Sequence, residues 1–147
     1  MNIKEISSTE TLALRSEILR PGKDISECQF DGDDAPDTRH FGALDAQNNI
    51  VGIVSVYRKG NSAISAGHHA YQIRAMAIKS ACRGQGIGNL VLSAAENYAK
   101  AQSAHLIWAN ARSSAIGFYS KAGFSVESEE FMIEGVGPHF LVSKKLT

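Results

Sequence analysis

Arg83-Gly84-Gln85-Gly86-Ile87-Gly88 separates two stretches of different period. Before it, residues 70–78 (AYQIRAMAI) alternate, with Tyr71, Ile73, Ala75 and Ala77 on one face and Gln72, Arg74, Met76 and Ile78 on the other. That spacing predicts a strand. After it, Leu90, Val91, Ala94, Ala95 and Tyr98 recur at helical spacing and predict an amphipathic helix over 86–101. Glycines at such a junction let the backbone turn tightly and approach a ligand, while the helix start offers unpaired N–H donors and a positive dipole end. The combination favours an anion, most naturally a pyrophosphate, and Arg83 adds a formal positive charge. Glycines at 84, 86 and 88 do not meet the dinucleotide spacing GxGxxG, and no Gly-Lys-Ser/Thr follows to make a P-loop. The plain alternative is a strand-to-helix turn that holds no ligand.

On the N-terminal side, Ser7 and Glu10 have the spacing of a capping box, and Leu12, Leu14, Ile18 and Leu19 form an apolar stripe. A helix over about 8–20 is predicted, stopped by Pro21-Gly22. Residues 23–39 are polar, acidic and rich in turn formers, and read as a long substrate-side flap. Strand-like runs at 40–45 and 50–58 flank Gln47-Asn48-Asn49, a natural hairpin because asparagine tolerates positive φ. Residues 60–67 read as a second loop. On the C-terminal side, residues 105–109 (HLIWA) predict a strand and 113–121 a short helix, with Gly123 in the position of a left-handed cap. Strands are expected at 124–133 and 140–146. A strand–helix–strand unit needs parallel neighbours and hairpins need antiparallel ones. The fold class is therefore α/β with a mixed sheet flanked by helices on both faces, in a single domain over 1–147.

Composition limits the partners. The chain has 147 residues, 44% apolar and 20% charged, with 15 basic and 15 acidic side chains. Zero net charge argues against a dedicated nucleic-acid binder. No apolar run at the N-terminus is long enough for a signal peptide or a membrane span, so a cytoplasmic location and no membrane partner are expected. Cys28 and Cys82 are far apart with no CxxC spacing, and read as free thiols. No metal is expected: His68 and His69 point to opposite sides of an extended chain, and Asp31, Asp33 and Asp34 lack the rest of a calcium loop, so they read as solvated.

A second stretch gives the glycine turn its context. Residues 110–124, Asn-Ala-Arg-Ser-Ser-Ala-Ile-Gly-Phe-Tyr-Ser-Lys-Ala-Gly-Phe, look like the N-x-x-x-x-A-x-x-F-Y-x-K-x-G-F segment of the GCN5-related N-acetyltransferase (GNAT) superfamily. Arg83, Gly86 and Gly88 match the superfamily's Q/R-x-x-G-x-G/A signature. The resemblance extends over about 40–146 by element order and is most specific over 70–124. Pro138-His139 and the Leu-Arg-Pro-Gly at 19–22 also resemble ElaA-like or YjcF-like members.

This resemblance implies a GNAT-like acyl-CoA N-acyltransferase fold and an acetyl-CoA-dependent N-acetyltransferase acting on a primary amine of a small molecule or peptide. Acetyl-CoA would serve as co-substrate, without a metal. Main-chain groups of Met76, Ala77 and Ile78 would pair with the pantetheine arm. Amides of Arg83, Gly84, Gln85, Gly86, Ile87, Gly88 and Asn89 would hold the pyrophosphate, and Asn110 would also contact the cofactor. Tyr119 matches the tyrosine that protonates the coenzyme A thiolate, although a core aromatic beside Phe118 is the alternative. Dimer formation is common in the family, so a homodimer is a further expectation.

The family draws its general base from different strands or uses water. His139 and Glu134, in the last hairpin, are the candidates here; Glu134 could instead bind a cationic substrate. His40, at the start of the first strand, is a further candidate for the base or for binding the substrate, against the default that a lone histidine is a hydrogen-bonded structural group. Arg74 is costly in mid-strand unless paired. It either meets a carboxylate such as Glu130 or Glu134 or binds an acidic group of the substrate. A non-catalytic acyl-CoA-binding sensor is the competing function, and it could dispense with Tyr119.

Overall fold

The computed structural model describes residues 1–64 and 69–147. Eight strands pair in the order β1-β2-β3-β4-β5-β8-β6, with β7 added to β8. The strands are β1 (Asn2–Ile6), β2 (Arg39–Leu44), β3 (Ile50–Arg58), β4 (Ala70–Ile78), β5 (Leu106–Arg112), β6 (Ser125–Val126), β7 (Phe131–Ile133) and β8 (Gly137–Lys145). The helices are α1 (Ser8–Leu14), α2 (Ile87–Ala101) and α3 (Ile116–Lys121). The chain divides into two compact units, Met1–Tyr57 with Arg74–Tyr98, and Arg58–Ile73 with Ala99–Thr147.

In the first unit β1, β2 and β3 form an antiparallel sheet. The strand β1 was not foreseen. Its sequence, NIKEI, carries two apolar residues, and only Ile6 is buried. An edge strand needs no stronger pattern. The Ser7–Glu10 capping box is present in full, with the Ser7 hydroxyl accepting from the Glu10 N–H and the Glu10 carboxylate accepting from the Ser7 N–H. From α1 the chain continues through a wide π-helical turn, Arg15–Leu19. The predicted helix is thus confirmed in extent and corrected in its last turn.

Leu14 packs with Ile6, Ile53 and Ala77. One residue earlier on β3, a Cβ on Gly52 would lie 2.7 Å from Ile87 Cγ2 and 3.0 Å from Ile78 Cδ1. Successive strand residues point to opposite faces. The helices α1 and α2 therefore cover the two faces of this sheet, as expected. The hairpin between β2 and β3 also holds: Asn48 has φ 63°, and Asp45 Oδ1 accepts from the Gln47 and Asn49 N–H groups at 2.9 Å.

In the second unit β4 runs parallel to β5 from Ala70↔Leu106 to Ile73↔Ala109. The strand β5 then pairs antiparallel with β8 as far as Arg112↔His139. Ala70, Trp108 and Leu141 form a cluster, and the Trp108 indole donates to the Lys59 carbonyl at 2.8 Å. Gly123, at φ 96°, ends α3 in the predicted left-handed cap. The expected strand over 124–133 is instead two short pieces, β6 and β7, and β8 begins at Gly137 rather than at 140. Polar residues 127–130 interrupt the apolar alternation there. Both cysteines are free. Among the described residues no helix is long and apolar enough to cross a membrane.

Candidate active site

The first unit carries the candidate anion-binding turn. After β4 a short 3-10 turn, Ser80–Cys82, leads into residues 83–86, all exposed, and α2 begins at Ile87. Gly84 and Gly86 both have φ +80°, and a Cβ at either would meet nothing within 4 Å. Left-handed backbone beside open space is what a loop needs if its amides are to face a ligand rather than its own side chains. Ile87, anchored beneath Gly52, is 2% exposed, whereas Asn89 is exposed. The residues present therefore fit a pyrophosphate.

Further back, Ala75 has φ 57°, a left-handed conformation inside β4. Strand alternation cannot be carried through such a residue. The expectation that Arg74 and Met76 share a face is thus unsupported, and Arg74, Ala75 and Met76 are all half-buried. The Arg74 guanidinium lies 4.7 Å from the Phe30 ring centroid and 5.6 Å from that of Tyr57. Glu130, one proposed partner, instead accepts from the Ser113 hydroxyl at 2.7 Å.

Sequence reasoning missed the polar cluster next to Arg74. Arg15, fully buried, donates to both Asp33 oxygens at 2.7 and 3.0 Å, to the Cys28 carbonyl at 3.0 Å and to the Ser55 hydroxyl at 3.0 Å. The Tyr57 hydroxyl donates to Asp33 Oδ1. Asp33 is thus a buried ion-pair partner and not a solvated loop residue. Burial alone would raise its carboxyl, but hydrogen bonds from Arg15, Tyr57 and the Phe30 N–H, with the Arg15 charge, hold it below the ordinary value. Burial and the bond to Asp33 push the Tyr57 phenol up to about 12.

His40 belongs to this cluster, not to an open pocket. It is 4% exposed, with Nδ1 2.7 Å from the Ser55 hydroxyl and Nε2 2.9 Å from the Asp33 carbonyl. Both ring nitrogens are occupied, which leaves no atom for an acceptor. The flap over 23–39 is consequently pinned, further held by Thr38 donating to the Gly32 carbonyl and Tyr98 to that of Asp37. A signal was available: Thr11, Leu14, Arg15 and Ile18 lie at i, i+3, i+4 and i+7, which places an arginine inside the apolar stripe.

The second unit carries the candidate acid and bases. Tyr119 is 7% exposed and packs edge-on against Phe118 and Phe124, with ring centroids 5.3 and 5.2 Å away. Burial pushes its phenol up to about 12. His139 is buried on β8, its Nδ1 2.7 Å from the Gly137 carbonyl and its ring stacked on Phe131. Glu134 is exposed in the turn between β7 and β8, and Asn110 is exposed on β5 between buried Ala109 and Ala111. His69 is exposed, and His68 lies outside the described residues.

Comparison with known proteins gives the family and the fold. Residues 4–124 match the model of the Acetyltransferase (GNAT) family, and the chain belongs to that family. It is 30% identical over 146 residues to the uncharacterized N-acetyltransferase YitI of Bacillus subtilis (strain 168), covering 99% of this chain and 97% of that one. An aminoglycoside 6'-N-acetyltransferase complexed with coenzyme A has the same fold, at a TM-score of 0.77 and 14% identity, covering 100% of this chain and 98% of that one. Escherichia coli ElaA shares the fold at a TM-score of 0.76 and 16% identity, covering 97% and 98%.

Proposed function

We propose that the protein is an acetyl-CoA-dependent N-acetyltransferase that acts on a primary amine of a small molecule or peptide. The observation that carries this is the open turn of Gly84 and Gly86 at the start of α2, in a chain of this family. Amides of residues 83–89 hold the pyrophosphate there, and Asn110 adds a side-chain contact to the cofactor. Main-chain groups of Met76, Ala77 and Ile78, which lie past the last parallel rung at Ile73, pair with the pantetheine arm. Coenzyme A supplies the acetyl thioester.

In the reaction the neutral amine attacks the thioester carbon, a C–N bond forms and the C–S bond breaks. The Tyr119 phenol, still protonated at neutral pH, donates to the departing sulfur, and the ammonium proton leaves through a base. His139 is the better-placed base of the two candidates, because its ring is fixed by Phe131 and Gly137. Glu134, exposed in the turn, serves as a relay or as a contact for a cationic acceptor.

Coenzyme A release across an amine panel tests the reading. Turnover is expected, with kcat reduced about 10²–10⁴-fold in Tyr119→Phe at unchanged coenzyme A affinity. If the protein binds acetyl-CoA and turns over no amine, the non-catalytic sensor replaces this proposal.

A further inference from the structure

The Arg74 guanidinium carries a positive charge that the protein fixes in place and does not neutralise. Neither the Arg15–Asp33 nor the Arg39–Glu5 ion pair involves Arg74. Arg74 also has no hydrogen bond among the described residues. Its neighbours are aromatic: Phe30 at 4.7 Å and Tyr57 at 5.6 Å. Phe30 also takes the Arg15 guanidinium, at 4.4 Å. Asp33 neutralises Arg15, so the surplus charge of this cluster rests on Arg74.

An aromatic ring attracts the guanidinium charge without taking a hydrogen bond of ordinary strength, so the Arg74 N–H groups keep their capacity to donate. Their fork matches two carboxylate oxygens. Phe30 is held by its own N–H donating to Asp33 Oδ2 at 2.8 Å, and Arg74 precedes the left-handed Ala75. Of the loop carboxylates close to Phe30 in sequence, Asp33 is engaged with Arg15 and Tyr57, Asp34 with the Ser8 hydroxyl and the Gln29 amide, and Asp31 is exposed and makes no ion pair with Arg74. A half-buried cation with an open fork is costly without an anion, and a ligand can supply one.

We infer that Arg74 is a specificity-determining residue, and that the acceptor amine carries a carboxylate which the Arg74 fork binds. This rests on the transferase reading above and narrows its substrate class to amino acids and related amino carboxylates. Aminoglycoside-like or polyamine acceptors, which lack an anionic group, fall outside it.

Calorimetric titration of the coenzyme A-loaded protein tests the inference. The probes are the straight-chain amino carboxylates from glycine to 6-aminohexanoate and the L-amino acids, each compared with its own carboxamide. At least one acid is expected to bind about tenfold or more tightly than its amide, the range for a charge-assisted bidentate contact. Arg74→Gln should erase that difference and leave coenzyme A affinity unchanged, while Arg74→Lys should restore part of it. The acid–amide comparison in the unmodified protein does not depend on any variant folding. Equal binding of acids and amides, or no binding by any acid, overturns the inference. Binding of acids without acetyl transfer to any amine would uphold the Arg74 contact and reject the transferase reading, so the two failures are distinct.

Discussion

Arg15 and Asp33 form a two-pronged ion pair inside the first unit, with both side chains almost fully withdrawn from water. It joins the π-helical turn after α1 to the acidic loop. Breaking such a pair on one side leaves an uncompensated buried charge, at about 3–5 kcal/mol. Asp33→Ala should therefore lower urea-denaturation stability by about that much, whereas Arg15→Met combined with Asp33→Leu should cost clearly less than the sum of the single changes.

The same pair predicts an acid limb. The folded-state pKa of Asp33 is depressed below 3.8. Its contribution is therefore present above the unfolded value and lost as pH falls through the folded one. Denaturant midpoints measured on going below about pH 4 should decline less steeply in Asp33→Asn than in the unmodified protein.

Tyr57 and Tyr119 shift the other way, each raised from 10.0 to about 12. Their stabilising effect is present below the unfolded pKa and lost as pH rises through about 12. In a spectrophotometric titration Tyr57 and Tyr119 should form phenolate only well above pH 10. A loss of kcat between neutrality and pH 10 would then belong to another group. Early ionisation of Tyr119, detected as a signal missing in Tyr119→Phe, would refute its assigned acid role.

Two glycines separate folding from binding. At Gly52 an added methyl meets Ile87 and Ile78, so Gly52→Ala should destabilise by about 1–3 kcal/mol through overpacking. Gly86 has open space but φ +80°, so Gly86→Ala should cost only about 1–2 kcal/mol of backbone strain. Its larger effect should be on coenzyme A affinity, through displaced amides. Thermal melts and coenzyme A titrations of the two variants check the contrast.

Most of the fold was legible because local chemistry decided it. The Ser7–Glu10 box, the Asn48 turn, the Gly123 cap and the helix after Gly86 each depend on residues within a few positions. What escaped was decided at long range. Strand β1 pairs with an edge that β2 offers it, and the π turn begins at Arg15, whose partner Asp33 lies eighteen residues on. Legibility of the site follows the same division. The glycine turn and Tyr119 are carried by contiguous motifs, whereas His40 changed role because its partners, Ser55 and Asp33, come from two other segments.

The left-handed alanine at 75 has one more implication. A side chain aimed by the backbone keeps its bearing when its chemistry changes. Position 74 is thus set by the strand, while what is presented over Phe30 depends on the residue there: glutamate, leucine or glutamine would give up the cation–aromatic contact. Relatives built on the same strand could diverge in the molecules they modify through one codon, with the glycine turn and the transfer chemistry left untouched.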